Sequence, residues 1–205
     1  MNKPVSTYEN RKEKEDESRI FIAINETLNG NNNSFSIIVE KYTPILYSLT
    51  YKMIGYTDEV EDIVQEIFLK VYASLHRFKL SSRFLPWIYT IAINHMRTYA
   101  KKRNKRKKIN FLYLDKNDTG EIHDIKQIDP EEIFLLKEAE ECAIRALSLL
   151  KAEYREVFLL RSLEGLSVKE VSSILKIPQG TVKTHLHRAK KMLIKILSDN
   201  DFLKP

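Results

Sequence analysis

The chain has 205 residues, 34 Lys or Arg against 28 Asp or Glu, and a net charge of +6. Its length suits two small domains or one of average size, and the basic surplus suits a partner rich in phosphates. A single cysteine, Cys142, excludes an internal disulfide and a Cys-based zinc site and fits a reducing compartment; the five glycines form no phosphate-cradling loop, which removes the usual nucleotide-binding enzymes.

Residues 1–18, MNKPVSTYENRKEKEDES, hold no apolar run, so they predict a disordered tail and not a signal peptide. No later apolar stretch approaches spanning length, and the reading is a cytoplasmic chain with no direct membrane insertion. Apolar residues recur at helical spacing and strand-like alternation is almost absent, so the fold class is all-α. A first short helix is expected through RIFIAINETLN. Ser34 is placed to cap a second, with Phe35, Ile38, Val39, Tyr42, Leu46, Leu49 and Met53 on its buried face. Pro44 should kink that helix, and Gly55 ends it.

Thr57 or Asp58 then caps a third helix that buries Val60, Ile63, Val64, Ile67, Val71 and Leu75. Its other side carries Glu61, Asp62, Gln65, Leu69 and Tyr72. Leu and Tyr among carboxylates suit a protein-binding face on which the acids steer a basic partner; periodicity alone leaves a solvated face equally open. After the loop HRFKLSSRF, a fourth helix begins near Phe84 or Pro86 and runs through Ile91 and Met96 into KKRNKRKK. Seven of the eight residues Lys101 to Lys108 are basic, whereas Thr57 to Glu66 holds five acids and no base. Such segregation fits a chain that meets an anionic polymer on one surface and something basic on another.

Residues 109–129 break the pattern and predict a flexible linker with a turn at Thr119-Gly120. Asp129-Pro130-Glu131-Glu132 restarts a helix that should run to about Leu150, and AEYREVFLLRSL forms another that stops at Gly165. Next comes LSVKEVSSILKIPQGTVKTHLHRAKKML. Ser167 and Glu170 make a capping box, Val168, Val171, Ile174 and Leu175 a buried face, and a turn at Lys176-Ile177-Pro178 leads into a second helix at Gln179. This is the plan of a helix-turn-helix, whose second helix enters the DNA major groove.

On that second helix Val182, Leu186, Ala189, Leu193 and Ile196 fall on one side. Lys183, Thr184, His187, Arg188 and Lys191 fall on the other, and no acid occurs from Val171 to Ser198. Lys and Arg on phosphates would supply salt-sensitive affinity, with Thr181, Lys183, Thr184, His187 and Arg188 near enough to reach base edges. The competing reading is an amphipathic helix with a solvated basic face. His185 and His187 diverge, so they suggest no metal site.

Three stretches together carry a resemblance: GYTDEVEDIVQEIFLKVY, FLPWIYTIAINHMRTYAKKR, and RALSLLKAEYREVFLLRSLEGLSVKEVSSILKIPQGTVKTHLHRAKKML. In this order they resemble the two domains of bacterial extracytoplasmic-function (ECF) sigma factors, over about Ile20 to Lys108 and Glu131 to Leu197. The resemblance implies a helical domain at 19–108, a linker at 109–129, a helix-turn-helix domain at 130–198 and a short tail at 199–205. It also implies a subunit that binds core RNA polymerase, recognises promoter DNA at two elements and helps open the strands.

By position, Asp62, Gln65, Glu66, Phe68 and Leu69, with Glu61 beside them, match the polymerase-docking helix. Lys79, Arg83, Phe84 and Asn94 match the part that takes the melted element, with Arg97, Lys101, Lys102 and Arg103 on its phosphates; flipped bases could be held there, while Trp87, Ile88 and Ile91 read as core. The C-terminal helix matches the reader of the upstream duplex element. Thr98 and Pro178 depart from the family's usual acid and Ser, which leaves promoter preference open. An anti-sigma factor covering the polymerase-binding face is a further implied partner. The residues contain no catalytic constellation, so neither enzymatic activity nor a cofactor is expected. The alternative function is a stand-alone helix-turn-helix regulator of duplex DNA.

Overall fold

The computed structural model describes residues 7–198 apart from 56, 111–138 and 140, and gives the backbone course alone at 7–16 and 104–110. All regular structure among the described residues is helical. One body comprises α1 (Thr7–Leu28), α2 (Phe35–Ile54), α3 (Val60–Ser74) and α4 (Phe84–Asn110). The other comprises α5 (residues 141–148), α6 (Ala152–Phe158), α7 (Val168–Leu175) and α8 (Gln179–Ser198). The two-body, all-helical expectation is met. The linker, the Asp129-Pro130 helix start and the tail at 199–205 lie outside the described residues.

Helix α1 differs from expectation by starting at Thr7, so residues 7–18 are helical where a disordered tail was expected. RKEKEDES is rich in Lys, Glu and Arg, which favour helix intrinsically, and apolar periodicity does not register that preference. Helix α2 buries Ile38, Tyr42, Leu46, Leu49 and Met53 as its period requires, and Pro44 lies within it. Ser34 stands at its N-cap position, but its side chain makes no cap bond. Instead Ser34 closes a 3-10 turn over Asn32–Ser34, and its hydroxyl donates to the Glu26 carboxylate of α1 at 2.5 Å. Thr57 likewise stands outside α3: its hydroxyl accepts the Glu59 N–H at 3.4 Å and its carbonyl the Val60 N–H at 3.2 Å.

In the second body α6 runs into a π-helical turn over Leu159–Leu163, where the Glu164 N–H reaches back five residues to the Leu159 carbonyl at 3.0 Å. Gly165 follows at φ 69°, where a side chain would be strained, and turns the chain out of the helix. The capping box forms as expected: the Glu170 N–H donates to Ser167 Oγ at 3.2 Å and the Ser167 N–H to the Glu170 carboxylate at 2.8 Å. Lys176 ends α7 in the left-handed region at φ 56°. The Ser172 hydroxyl then ties down the Ile177 carbonyl at 2.6 Å, and the Pro178 carbonyl accepts the Val182 N–H at 3.1 Å, so Pro178 fits ahead of α8 without loss of order. The bodies touch, α4 lying along α7 and α2 meeting the π turn. No described helix is long and apolar enough to cross a membrane.

Candidate nucleic-acid and polymerase interface

Three surfaces hold the candidate residues. The first is the outer side of α3. Val60, Ile63, Val64, Ile67 and Val71 are buried against the first body, which leaves Glu61, Asp62, Gln65, Glu66 and Leu69 exposed in register. Leu69 is 70% exposed, a large apolar side chain presented to solvent on the side that carries Asp62 and Glu66. Tyr72 is pinned beside it, its hydroxyl donating to Asn32 Oδ1 at 2.7 Å. Phe68, expected on this surface, is instead 7% exposed and packs edge-on against Phe35 with ring centres 6.5 Å apart. It is a core residue, and it cannot touch a partner without leaving the core. The α3 period brings Phe68 round to the Val64 and Val71 side, a signal the sequence already contained.

The second surface is the loop before α4 and the exposed side of that helix. Lys79, Arg83, Asn94, Lys101 and Lys102 are exposed, and Arg97 and Arg103 are half-buried. A turn closed by the Ser82 N–H on the Lys79 carbonyl at 2.9 Å presents Arg83. Phe84 is the second correction. It is 1% exposed, and its ring centre lies 5.3 Å from Tyr42, 5.2 Å from Phe78 and 5.3 Å from Trp87. Expected to contact bases, Phe84 anchors the start of α4 in an aromatic cluster, because burying its ring among others is worth more than leaving it wet. Ile88 is fully buried, and Trp87 and Ile91 are half-buried against the core, as expected. Thr98, one of the two departures, bonds its hydroxyl to the Asn94 carbonyl at 2.9 Å.

His95 joins this surface to the first, with Nε2 at 3.3 Å from the Glu66 carboxylate. Burial lowers its pKa from the usual histidine value, and Glu66 opposes this.

The third surface is the free side of α8. Lys183, Thr184, His187, Arg188 and Lys191 are exposed together and Thr181 is half-buried, while Val182, Ala189 and Leu193 pack inward. The Thr184 hydroxyl donates to the Gly180 carbonyl at 3.0 Å, and Arg188 Nη1 to the Tyr154 hydroxyl at 3.2 Å. The His185 ring lies edge-on to Tyr154 with centres 5.1 Å apart, facing away from the outward His187, so the two histidines do diverge.

Sequence reasoning missed the groups that join the bodies. Arg97 donates from Nε and Nη2 to the two Glu156 carboxylate oxygens at 2.7 and 2.5 Å. That bond with Glu156 raises the guanidinium above its ordinary pKa, against the effect of burial. The Tyr89 hydroxyl donates to the Glu164 carboxylate, and burial with this carboxylate pushes the phenol well up. Arg83 Nη1 meets the Glu170 carboxylate at 2.8 Å. Arg155 donates to the Leu147, Ser148 and Leu150 carbonyls at 2.7, 2.6 and 3.1 Å, and across the junction to the Met53 carbonyl at 2.7 Å. Burial lowers its pKa. Each of these pairs lies 59 or more residues apart in sequence where it crosses the junction, beyond any local pattern.

The chain matches sigma-70 region 2 over residues 38–106 and sigma-70 region 4 over residues 140–193. It is 33% identical over 183 residues to the ECF RNA polymerase sigma factor SigW of Bacillus subtilis, covering 86% of this chain and 95% of that protein. It is 29% identical to the ECF RNA polymerase sigma-E factor of Escherichia coli over 80% of this chain and 86% of that one. Among solved structures, the sigma factor RpoE in complex with the anti-sigma factor NepR from Bartonella quintana superposes with a TM-score of 0.63 at 22% identity, over 80% of this chain and 97% of that one. CnrH in complex with the cytosolic domain of CnrY superposes at 0.60 and 20% identity, over 86% and 95%.

Proposed function

The chain belongs to the ECF sigma factors, which direct RNA polymerase to promoters, and we propose that its two bodies divide that work by the residues they expose. The N-terminal body, about residues 19–108, docks on core polymerase through Glu61, Asp62, Gln65, Glu66 and Leu69. Residues 109–129 connect it to the C-terminal body. Lys79, Arg83, Asn94, Arg97, Lys101, Lys102 and Arg103 hold the melted element. The C-terminal body, about residues 130–198, reads the upstream duplex through Thr181, Lys183, Thr184, His187, Arg188 and Lys191. The polymerase performs the chemistry, this chain acts in the cytoplasm, and it is not itself an enzyme.

The observation that carries this reading is α8: five hydrogen-bonding or basic side chains on one exposed side, with the apolar side packed inward. A helix held that way at the second position of a helix-turn-helix presents donors to base edges and phosphates without reorganisation. On α3 the pairing of carboxylates with an exposed Leu69 supports a protein partner, since acids speed encounter and an apolar side chain in a pocket supplies affinity. The same surface suits an anti-sigma factor, the kind of partner in the complex of the Bartonella quintana protein.

Run-off transcription with purified chain, core polymerase and a library of randomised upstream elements tests the function. Initiation from a specific subset is expected. A chain that bound duplex DNA alone and directed no initiation would be a stand-alone regulator, and this reading would fall.

A further inference from the structure

We propose that His95 is a positioning residue for polymerase docking: it backs Glu66 on the outer side of α3 and weakens docking when it takes up a proton. The proposal rests on the reading that Glu66 meets core polymerase, and goes beyond it by naming a residue of another helix that sets the charge Glu66 presents.

The geometry comes from the packing of α4 along α3. Ala92, Ile93 and Met96 of α4 are buried, and His95 stands at the edge of that row with its side chain 10% exposed. Its Nε2 lies 3.3 Å from the Glu66 carboxylate, and the Glu66 side chain is itself 63% exposed. Glu66 follows Asp62 by four residues and precedes Leu69 by three, so all three share one side of α3. The imidazole thus supports the docking side while contributing almost nothing to its outer surface.

The charge on that ring is set by its neighbours. Burial holds His95 below the usual histidine value of 6.5, Glu66 opposes this, and Lys70 of α3 and Lys102 of α4 lower it further. Helix α2, also packed on α4, brings no charged group to the ring among the described residues. Near pH 7.5 the ring is therefore neutral, and Glu66 offers a full negative charge to a basic partner. In more acid solution the ring gains a proton and pairs with Glu66, which cancels one of the negative charges that Glu61, Asp62 and Glu66 present together. A basic partner seated against Glu66 disfavours that proton in turn, because it brings a second positive charge to the same carboxylate. The complex then holds fewer protons than the free chain, so by linkage its affinity falls as pH falls. For a pair with one exposed member the effect is modest, about two- to fivefold.

The test measures binding of the full chain to core polymerase at pH 7.5 and pH 5.5 for wild type, H95Q and E66Q. Polymerase has titrating groups of its own, so the readout is the difference between chains. Gln keeps an N–H donor near Glu66 but takes up no proton. H95Q should bind within about twofold of wild type at pH 7.5, and its loss of affinity at pH 5.5 should be at least about twofold smaller than that of wild type. E66Q should bind more weakly than wild type at pH 7.5 and show the same reduced acid loss, which keeps the test decisive if H95Q folds poorly. An acid loss equal to that of wild type in either variant overturns the proposal. E66Q that bound as tightly as wild type at pH 7.5 would take Glu66 out of the docking side, and both readings would fall. Weaker binding by E66Q with an unreduced acid loss would sink the part given to His95 alone.

Discussion

Glu170 shows how much one side chain can join. Its carboxylate accepts from the Ser167 N–H and hydroxyl to complete the cap of α7, and from Arg83 across the junction. Burial pushes its pKa up, but the two Ser167 bonds and Arg83 outweigh this and hold it below the usual 4.5. A carboxyl depressed by folding stabilises above its unfolded value, and that contribution is lost as pH falls through the folded one. The unfolding free energy of the wild type from urea titration should therefore exceed that of Glu170→Gln near neutrality by about 1 kcal/mol or less, with the gap closing as the medium is taken below about pH 4. A gap that widened in acid would contradict the assignment. Phe84 gives a second residue-scale outcome. Phe84→Ala should cost about 3–5 kcal/mol in urea unfolding because it empties the centre of an aromatic cluster. Arg83→Ala, one position away and exposed, should stay within about 0.5 kcal/mol. Equal stabilities would return Phe84 to the surface.

At the scale of the element, periodicity located most of what matters. The buried row of α3 and the inward row of α8 fall where a 3.6-residue repeat puts them, and what remains outside is the proposed function. In α3, Asp62→Lys with Leu69→Ala should leave thermal unfolding within about 1 kcal/mol of wild type, since both positions are exposed, yet abolish co-elution with core polymerase. Retained co-elution would move the docking surface elsewhere. In α8, Lys183→Ala with Arg188→Ala should weaken binding to the upstream element and lower the salt slope of the affinity by up to about 2, one for each lost phosphate contact. An unchanged slope in a filter-binding titration would remove those two side chains from the backbone. The Thr57 and Ser34 caps failed for one reason: each hydroxyl found a different partner, and a cap is decided by the geometry of the chain entering the helix, which spacing does not specify. The Ser167–Glu170 box succeeded because both of its members lie within one turn.

For the whole molecule, the decisive groups are those that cross from one body to the other. Arg155 is the clearest, a guanidinium that holds the end of α5 and the end of α2 with one fork. Arg155→Lys keeps the charge but cannot span both carbonyl sets, and should lower the urea midpoint by an amount equivalent to about 1–3 kcal/mol of unfolding free energy. An unaltered midpoint would mean that the carbonyls are equally well served by water. The sequence by itself determined helices α2 to α4 and α6 to α8, the two bodies, the capped helix-turn-helix, the acid–Leu side of α3 and the basic side of α8, because each is a local regularity with a period or a short offset. Only the tertiary structure decided that Phe84 is core, and that Arg83, Tyr89 and Arg97 face Glu170, Glu164 and Glu156. Those outcomes depend on which side of one helix meets a residue dozens of positions away, and no local pattern encodes that meeting.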